Sequence, residues 1–304
     1  QLGQESEVAA QAGPFLFLLA LSVFPMYIYM SGKSLCDGYY YTLFPMIVTI
    51  GALLLNIFLN WILIYGNWGC PPLGLLGAGW ATLISRIVMA VAIFIFIFKS
   101  PGIKFKFRDV VRSSFKGKFY RSILKLGVPS GFQYFFEVAA FSGAAIIAGK
   151  IGAIPQAAHQ IAINIASLTF MFAVGIASSG SMYVAEHYAR NDLAGARRYG
   201  ISALWLVVGV EIVFASIFIS MHKILPGFYN NETEVIEIAS LLILIAAVFQ
   251  IVDGLQAVSL GLLRGLHDTK MPSILTFVAY WIIGIPLSIY LGIYTSSGIY
   301  GVWW

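Results

Sequence analysis

The sequence predicts an all-α integral membrane protein, a polytopic helical bundle built as two parallel pseudo-repeat lobes. Three observations carry this. The residues AVILMFWYC make up 60% of the 304, whereas Asp, Glu, Lys and Arg make up 10%, and the mean hydropathy is +0.87. A soluble domain needs far more charge to cover its surface. The apolar residues gather in runs of about 20, the length of helix that crosses a hydrocarbon core, where backbone groups must be satisfied within the helix itself. The third observation is an internal repeat, taken up below. The short alternating segments of a membrane β-barrel are absent from the sequence.

Eight spans are predicted in order, near Ala12–Met30, Leu43–Tyr65, Leu75–Phe98, Gly127–Ala148, Ala157–Gly180, Ile201–Met221, Val235–Leu263 and Pro272–Ile293, and a ninth begins at Gly298. Between Lys99 and Lys125 stand nine Lys and Arg residues opposed only by Asp109. With that loop on the cytoplasmic side, Lys33, Arg190, Arg197, Arg198, Arg264 and Lys270 also fall inside, and only Lys150 and Lys223 fall outside, the asymmetry that orients membrane proteins. The basic loop therefore reads as an orientation signal and linker, not as a nucleic-acid patch. The same topology puts Cys36 and Cys70 on opposite sides, so they are not expected to pair, and their spacing suits no zinc site.

Glu5-Ser6-Glu7-Val8 resembles Glu232-Thr233-Glu234-Val235, an offset of 227 residues, at which Leu35 meets Leu262, Gly38 meets Gly265, Thr42 meets Thr269 and Pro45 meets Pro272. With a small gap, Gly74-Leu-Leu-Gly77 aligns with Gly298-Ile-Tyr-Gly301. The collinearity implies two like halves: residues 1–98 as the last three helices of an N-terminal lobe, 99–125 as a basic cytoplasmic inter-lobe loop, and 126–304 as a C-terminal lobe cut within its last helix. The parent of such a partial chain has about twelve spans by the length rule. Parallel halves suit an alternating-access transporter with its substrate site between lobes.

Charges within spans are costly, about 2.5–3.5 kcal/mol on insertion scales, and face a bundle interior or a cavity. Glu137, in Phe135-Phe136-Glu137-Val138, and Asp253, in Gln250-Ile251-Val252-Asp253-Gly254, are the two strongest candidates for a group that alternates between a neutralised form and an anion that attracts cations. Glu211 is a weaker candidate. Arg86 lies some three turns from either end of its span and is expected to pair with an acid. Asn56 and Asn60 share one helix face, and Thr82 lies on the next span. Such amides and hydroxyls coordinate ions or join helices. Gly127-Val-Pro129-Ser-Gly131 opens a span, and Pro25 and Pro286 interrupt two others.

Gly127-Val-Pro129 with Phe136-Glu137, Ala157-Ala-His159-Gln160-Ile161 with Asn164, and Asp253-Gly-Leu-Gln256 followed by Gly261-Leu-Leu-Arg264-Gly265 and Asp268-Thr269-Lys270 together resemble the multidrug and toxic compound extrusion (MATE) family, its NorM-like branch above all. The resemblance covers essentially the whole chain, from the fourth span into the twelfth. It implies a twelve-helix antiporter of the plasma membrane, the inner membrane in a bacterium, that exports amphipathic, often cationic compounds against Na+ or H+. It implies no cofactor beyond that coupling ion, no nucleic acid, contact with membrane lipids and a monomeric state. By the same resemblance Glu137 and Asp253 match the acids of a second-lobe cation site that could hold Na+, Asn164 and Gln256 belong to the matching motifs, and Asn56, Asn60 and Thr82 match polar positions of a first-lobe site. The aspartate that completes the first-lobe site would lie on a span before Gln1. Phe249 departs from the pattern, since some relatives carry a tyrosine one turn before the second-lobe aspartate, and its loss keeps protons in play beside sodium. The alternatives are a lipid-linked oligosaccharide flippase, whose cavity calls for more bases than Arg86 alone, and a channel. An enzyme is not expected, because HExxH, GxSxG and paired acids on one span are missing from the sequence.

Overall fold

The computed structural model describes residues 6–100, 102–103 and 117–304. Glu5 and the basic stretch 104–116 lie outside these. The helices are α1 (Ser6–Gly38), α2 (Leu43–Tyr65), α3 (Leu75–Lys99), α4 (Gly117–Ile151), α5 (Ala153–Ala189), α6 (Leu193–Met221), α7 (Thr233–Gly265), α8 (Lys270–Phe277), α9 (Ile285–Ile293) and α10 (Gly298–Trp303). A π-helical segment, Val278–Gly284, joins α8 to α9 into one span. Among the described residues there is no strand, and eight helical spans are long and apolar enough to cross a membrane. The chain is thus an all-α, multi-pass membrane protein.

The helices outrun the apolar windows. α5 has 37 residues, about 55 Å at 1.5 Å per residue, against a hydrocarbon core of about 30 Å. α4 starts at Gly117, so Arg121 and Lys125 lie on its first turns and Pro129 sits well inside it instead of opening it. Hydropathy sees only the part of a helix that must be in lipid, whereas the hydrogen-bond ladder continues through polar flanks. The π segment ends two residues before Pro286, which lacks an N–H and whose ring would crowd the carbonyl of Ile282 in a regular helix. Local widening to π geometry accommodates it. Beyond the membrane end of α5, Asp192 caps α6: its Oδ1 accepts the Gly195 N–H at 2.9 Å and its Oδ2 lies 2.7 Å from His187 Nδ1. These bonds, the backbone one first, hold the Asp192 carboxyl below its ordinary range. A depressed native value means the cap outlasts the pH at which a free aspartate protonates and is lost only as the pH falls through the lower value. A side-chain NMR titration of Asp192 checks this.

The chain divides into two units, residues 1–115 and 116–304. In the first, α3 packs against both α1 and α2. Arg86 does not meet the acid expected of it: its Nη1 donates to Ser22 Oγ at 2.7 Å. Asp37 of α1 is paired instead with Lys33 at 2.7 Å. Cys36 and Cys70 are free thiols. In the second unit α5, α6 and α7 pack on one another, and α4 packs against α8 and α9. The core of the α5–α7 contact sets Leu242 and Ile243 among Ala158, Ala162, Ala246 and neighbours, the alanines letting backbones approach where lipid offers no hydrophobic drive for association.

The repeat is structural. α1 and α7 are each 33 residues long and begin and end 227 residues apart. The turn after α1 has Tyr39 N–H to Leu35 O, Tyr40 N–H to Asp37 O and Tyr41 N–H to Cys36 O; the turn after α7 has Leu266 to Leu262, His267 to Arg264 and Asp268 to Leu263, each shifted by 227. Tyr40 (φ 62°) and His267 (φ 63°) occupy the same left-handed position, uncommon for residues with a Cβ. Further along each half, Gly74 caps α3 and Gly298 opens α10 at φ 53° and 52°. Three residues on, a Cβ at Gly77 would lie 2.5 Å from Leu63 O and one at Gly301 2.8 Å from Leu291 O. Both glycines are required by backbone contact with the preceding helix. Gly77→Ala is accordingly expected to cost about 1–3 kcal/mol, read as a lowered melting temperature in detergent.

Candidate functional site

The interacting groups of the second unit, Glu137, Asp253, Gln256 and Tyr280, sit on three helical spans. Glu137 lies on α4 and Asp253 on α7, 116 residues apart in sequence, and the fold brings their carboxyl groups close enough for their charges to interact. Both are partly buried. Asp253 is twelve residues from the end of α7, about 18 Å of helix, and Glu137 is fourteen from the end of α4, about 21 Å, so both lie within the bilayer thickness. Gln256, one turn after Asp253, donates from Nε2 to Tyr280 Oη at 3.1 Å. Tyr280 stands on the π segment, and its hydroxyl lies within electrostatic reach of Asp253 and Glu137. That segment is tied to the Glu137 helix by Trp281 Nε1, which donates to Phe136 O at 3.1 Å, and by the packing of Phe136 against Phe277 and Trp281.

At the predicted cytoplasmic end, Arg264 interacts electrostatically with Glu137, lies with its guanidinium 5.2 Å from the Tyr134 ring centre, and donates from Nη1 to Tyr134 Oη. A cavity of about 230 Å³ adjoins the site, lined by Phe141, His159, Phe249, Tyr280, Ser288 and Trp303 among others. Phe249 thus faces the same space as Tyr280. A tyrosine hydroxyl is present near the two acids, but it comes from the π segment and not from position 249. His159 of the Ala157-Ala-His159-Gln160 string accepts from Trp303 Nε1 at 3.0 Å, a helix-joining role.

Other residues take different places. Asn164 is exposed on α5 and shares in none of the interactions that join Glu137, Asp253, Gln256 and Tyr280. In the first unit Asn60 Nδ2 donates to Asn56 Oδ1 at 3.0 Å and Thr82 Oγ1 donates to Ala78 O at 2.9 Å, within its own helix. Asn60 Oδ1 is left buried without a partner. Three groups went unnoticed in the sequence. Gln133 is 1% exposed with its Oε1 unpartnered, and it precedes Glu137 by four residues, on the same face. Gln250 precedes Asp253 by three and is 4% exposed. Helical spacing from an intramembrane acid is the signal that would have found both. Tyr280 had no such signal, because only packing sets its rotation. Among the described residues no three His, Cys, Asp or Glu gather to hold a metal. A cation at this site would be held by the two carboxylates and neutral oxygens, of which the Tyr280 hydroxyl is within electrostatic reach of both.

The MatE family model matches residues 1–62 and 129–290. Among curated proteins the chain is 36% identical over 313 residues to a "Probable multidrug resistance protein NorM" of Rhizobium meliloti (strain 1021), covering 99% of this chain and 66% of that protein. It is 32% identical to the protein of the same name from Brucella suis biovar 1 (strain 1330), over 99% of this chain and 65% of that one. The chain therefore spans about two thirds of the length of these relatives, a little less in each case. A solved structure described as the outward-facing conformation of a multidrug resistance MATE family transporter of the MOP superfamily superposes with a TM-score of 0.89 at 19% identity, over 99% of this chain and 66% of that one. A eukaryotic MATE transporter gives 0.85 at 22%, again over 99% and 66%. At these identities the structural likeness speaks for the fold, and the family model, matched on both sides of the basic stretch, speaks for descent: this chain belongs to the MatE family.

Proposed function

We propose that the protein is a secondary-active antiporter of the bacterial inner membrane, monomeric and lipid-embedded, that exports amphipathic, often cationic compounds in exchange for Na+ or H+. One observation carries the reading: the fold brings two carboxyl groups from different helices, Glu137 and Asp253, into mutual electrostatic reach at membrane depth. Two negative charges there repel each other and are poorly solvated, so the pair favours capture of a proton or sodium ion. It equally favours a cationic substrate. Ion and drug then exclude one another, and exclusive occupancy of one pair is a sufficient basis for exchange. Inward movement of the ion supplies the work, with the membrane potential adding about 2.3 kcal/mol per charge per 100 mV where net charge moves. The names of the curated relatives, probable multidrug resistance proteins of bacteria, agree with drugs as the substrate class.

Ethidium efflux from proteoliposomes, driven in turn by a sodium and a proton gradient, tests the reading and names the ion. Efflux that follows one gradient supports it. No gradient-driven movement of ethidium or other cationic dyes would move the assignment to lipid-linked oligosaccharide transport. In the same assay Tyr280→Phe is expected to weaken apparent ion affinity about fivefold, the worth of one hydrogen bond near 1 kcal/mol, with maximal rate little changed. An unaltered affinity would take Tyr280 out of the site.

A further inference from the structure

Among the described residues, Glu211 is a fully buried carboxylic acid that the exchange scheme above leaves unused. It lies on α6, ten residues before the helix ends at Met221, about 15 Å of helix. The side chain is 1% exposed, and both carboxyl oxygens are buried without a hydrogen-bond partner. None of the ion pairs among the described residues includes it. An ionised, unpartnered carboxylate so placed is untenable, so it must be held with a positive ligand.

The neighbours say which one. Glu211 packs against Gly254 of α7: a Cβ there would lie 2.8 Å from Glu211 Cγ and 3.1 Å from Oε1. Gly254 is the residue after Asp253, and the charges of Asp253 and Glu211 interact. α6 packs against α5 and α7. From α7, Asp253 is the titratable group within electrostatic reach of Glu211. Gln250, also of α7, donates from Nε2 to the Glu211 backbone carbonyl at 3.4 Å and accepts from Thr169 Oγ1 of α5 at 3.0 Å. The group that α5 brings to this level, the Thr169 hydroxyl, does not titrate. A metal ion needs a shell of oxygens, but Gln250 presents its N–H here and its own oxygen is engaged. A proton needs no shell.

We propose that Glu211 is a second, proton-binding site of this unit, linked across Gly254 to Asp253, so that a cation captured at Asp253 loosens the proton on Glu211 and a bare Asp253 retains it. By reciprocity a proton on Glu211 weakens the binding of a proton or cation at Asp253 by the same factor, which ties the two sites into one exchange cycle. The proton site stands on the geometry of Glu211 alone; its linkage rests on the assignment of Asp253 to the cation site.

Infrared difference spectra of the full chain in lipid, recorded between about pH 5 and pH 10 across the range where perturbed carboxyls titrate, test it. The expected result is a protonated-carboxyl C=O band that fades as the pH rises, is lost completely in Glu211→Gln and moves in Glu211→Asp. Identical spectra for wild type and Glu211→Gln would mean an ionised Glu211, and a band indifferent to pH would mean a permanently neutral packing group. Either overturns the proposal. Asp253→Asn should change the pH at which the band fades, and no change refutes the linkage. Should Glu137→Gln and Asp253→Asn leave exchange intact while the Glu211 band titrates, the antiporter site fails and the proton site remains.

Discussion

Under the proposed exchange, Glu137→Gln and Asp253→Asn are each expected to abolish gradient-driven export of cationic dyes, a loss of about a hundredfold or more, while the protein still inserts and folds. Both replacements keep shape and hydrogen-bonding capacity and remove only the ability to carry charge. Insertion cannot suffer, because a charge at the centre of a span costs about 2.5–3.5 kcal/mol on insertion scales and an amide costs less. Exchange must suffer, because a pair in which one member cannot ionise no longer distinguishes an occupied from an empty state. The two groups interact, so the double variant should be scarcely worse than either single one, the non-additivity expected of residues that act as a unit. Dye efflux from proteoliposomes, normalised to protein in the membrane, measures it. Wild-type efflux in both single variants would remove the pair from the transport mechanism.

The second large effect is on folding. Gly261 and Gly265 lie one turn apart on α7 against α5. A Cβ at Gly261 would stand 2.8 Å from Ala177 O and 3.0 Å from Ala177 Cβ, and one at Gly265 would stand 2.6 Å from Ser181 O. These neighbours are mainly backbone on a helix that is itself packed on two sides, so nothing flexible can yield. This is the small-xxx-small approach by which membrane helices gain contact. Gly261→Ala combined with Gly265→Ala is expected to cost several kcal/mol, at about 1–3 for each overpacked site, and to remove most of the monodisperse protein in size-exclusion profiles. Gly209→Ala is the control: a Cβ there meets nothing within 4 Å, and alanine is the better helix former by about 1 kcal/mol. Equal losses from Gly209→Ala and the α7 pair would show that close approach is not the cause.

The Gly261-Leu-Leu-Arg264-Gly265 string illustrates how far reading residues could go. As a string it marked a family; only with Ala177 and Ser181 placed against it does it become an interhelical contact. Arg86 is the opposite case. Its depth within a span was legible, and its partner was not: an acid was expected and Ser22 is found, because which side chain faces a buried guanidinium depends on how α1 is rotated against α3.

The sequence by itself determined the number and order of the spans, the repeat at 227 residues and the two intramembrane acids. These depend on quantities that exist along one dimension: apolar length, spacing and the cost of a charge in hydrocarbon. The tertiary structure alone decided where α4 begins, that Glu137, Asp253 and Tyr280 come within electrostatic reach of one another, and that Glu211 is sealed against Gly254. In water a helix declares its inner face by its polar stripe. In lipid both faces are apolar, so rotation about each helix axis is set by side-chain packing between helices, and that is information no single stretch of this chain contains.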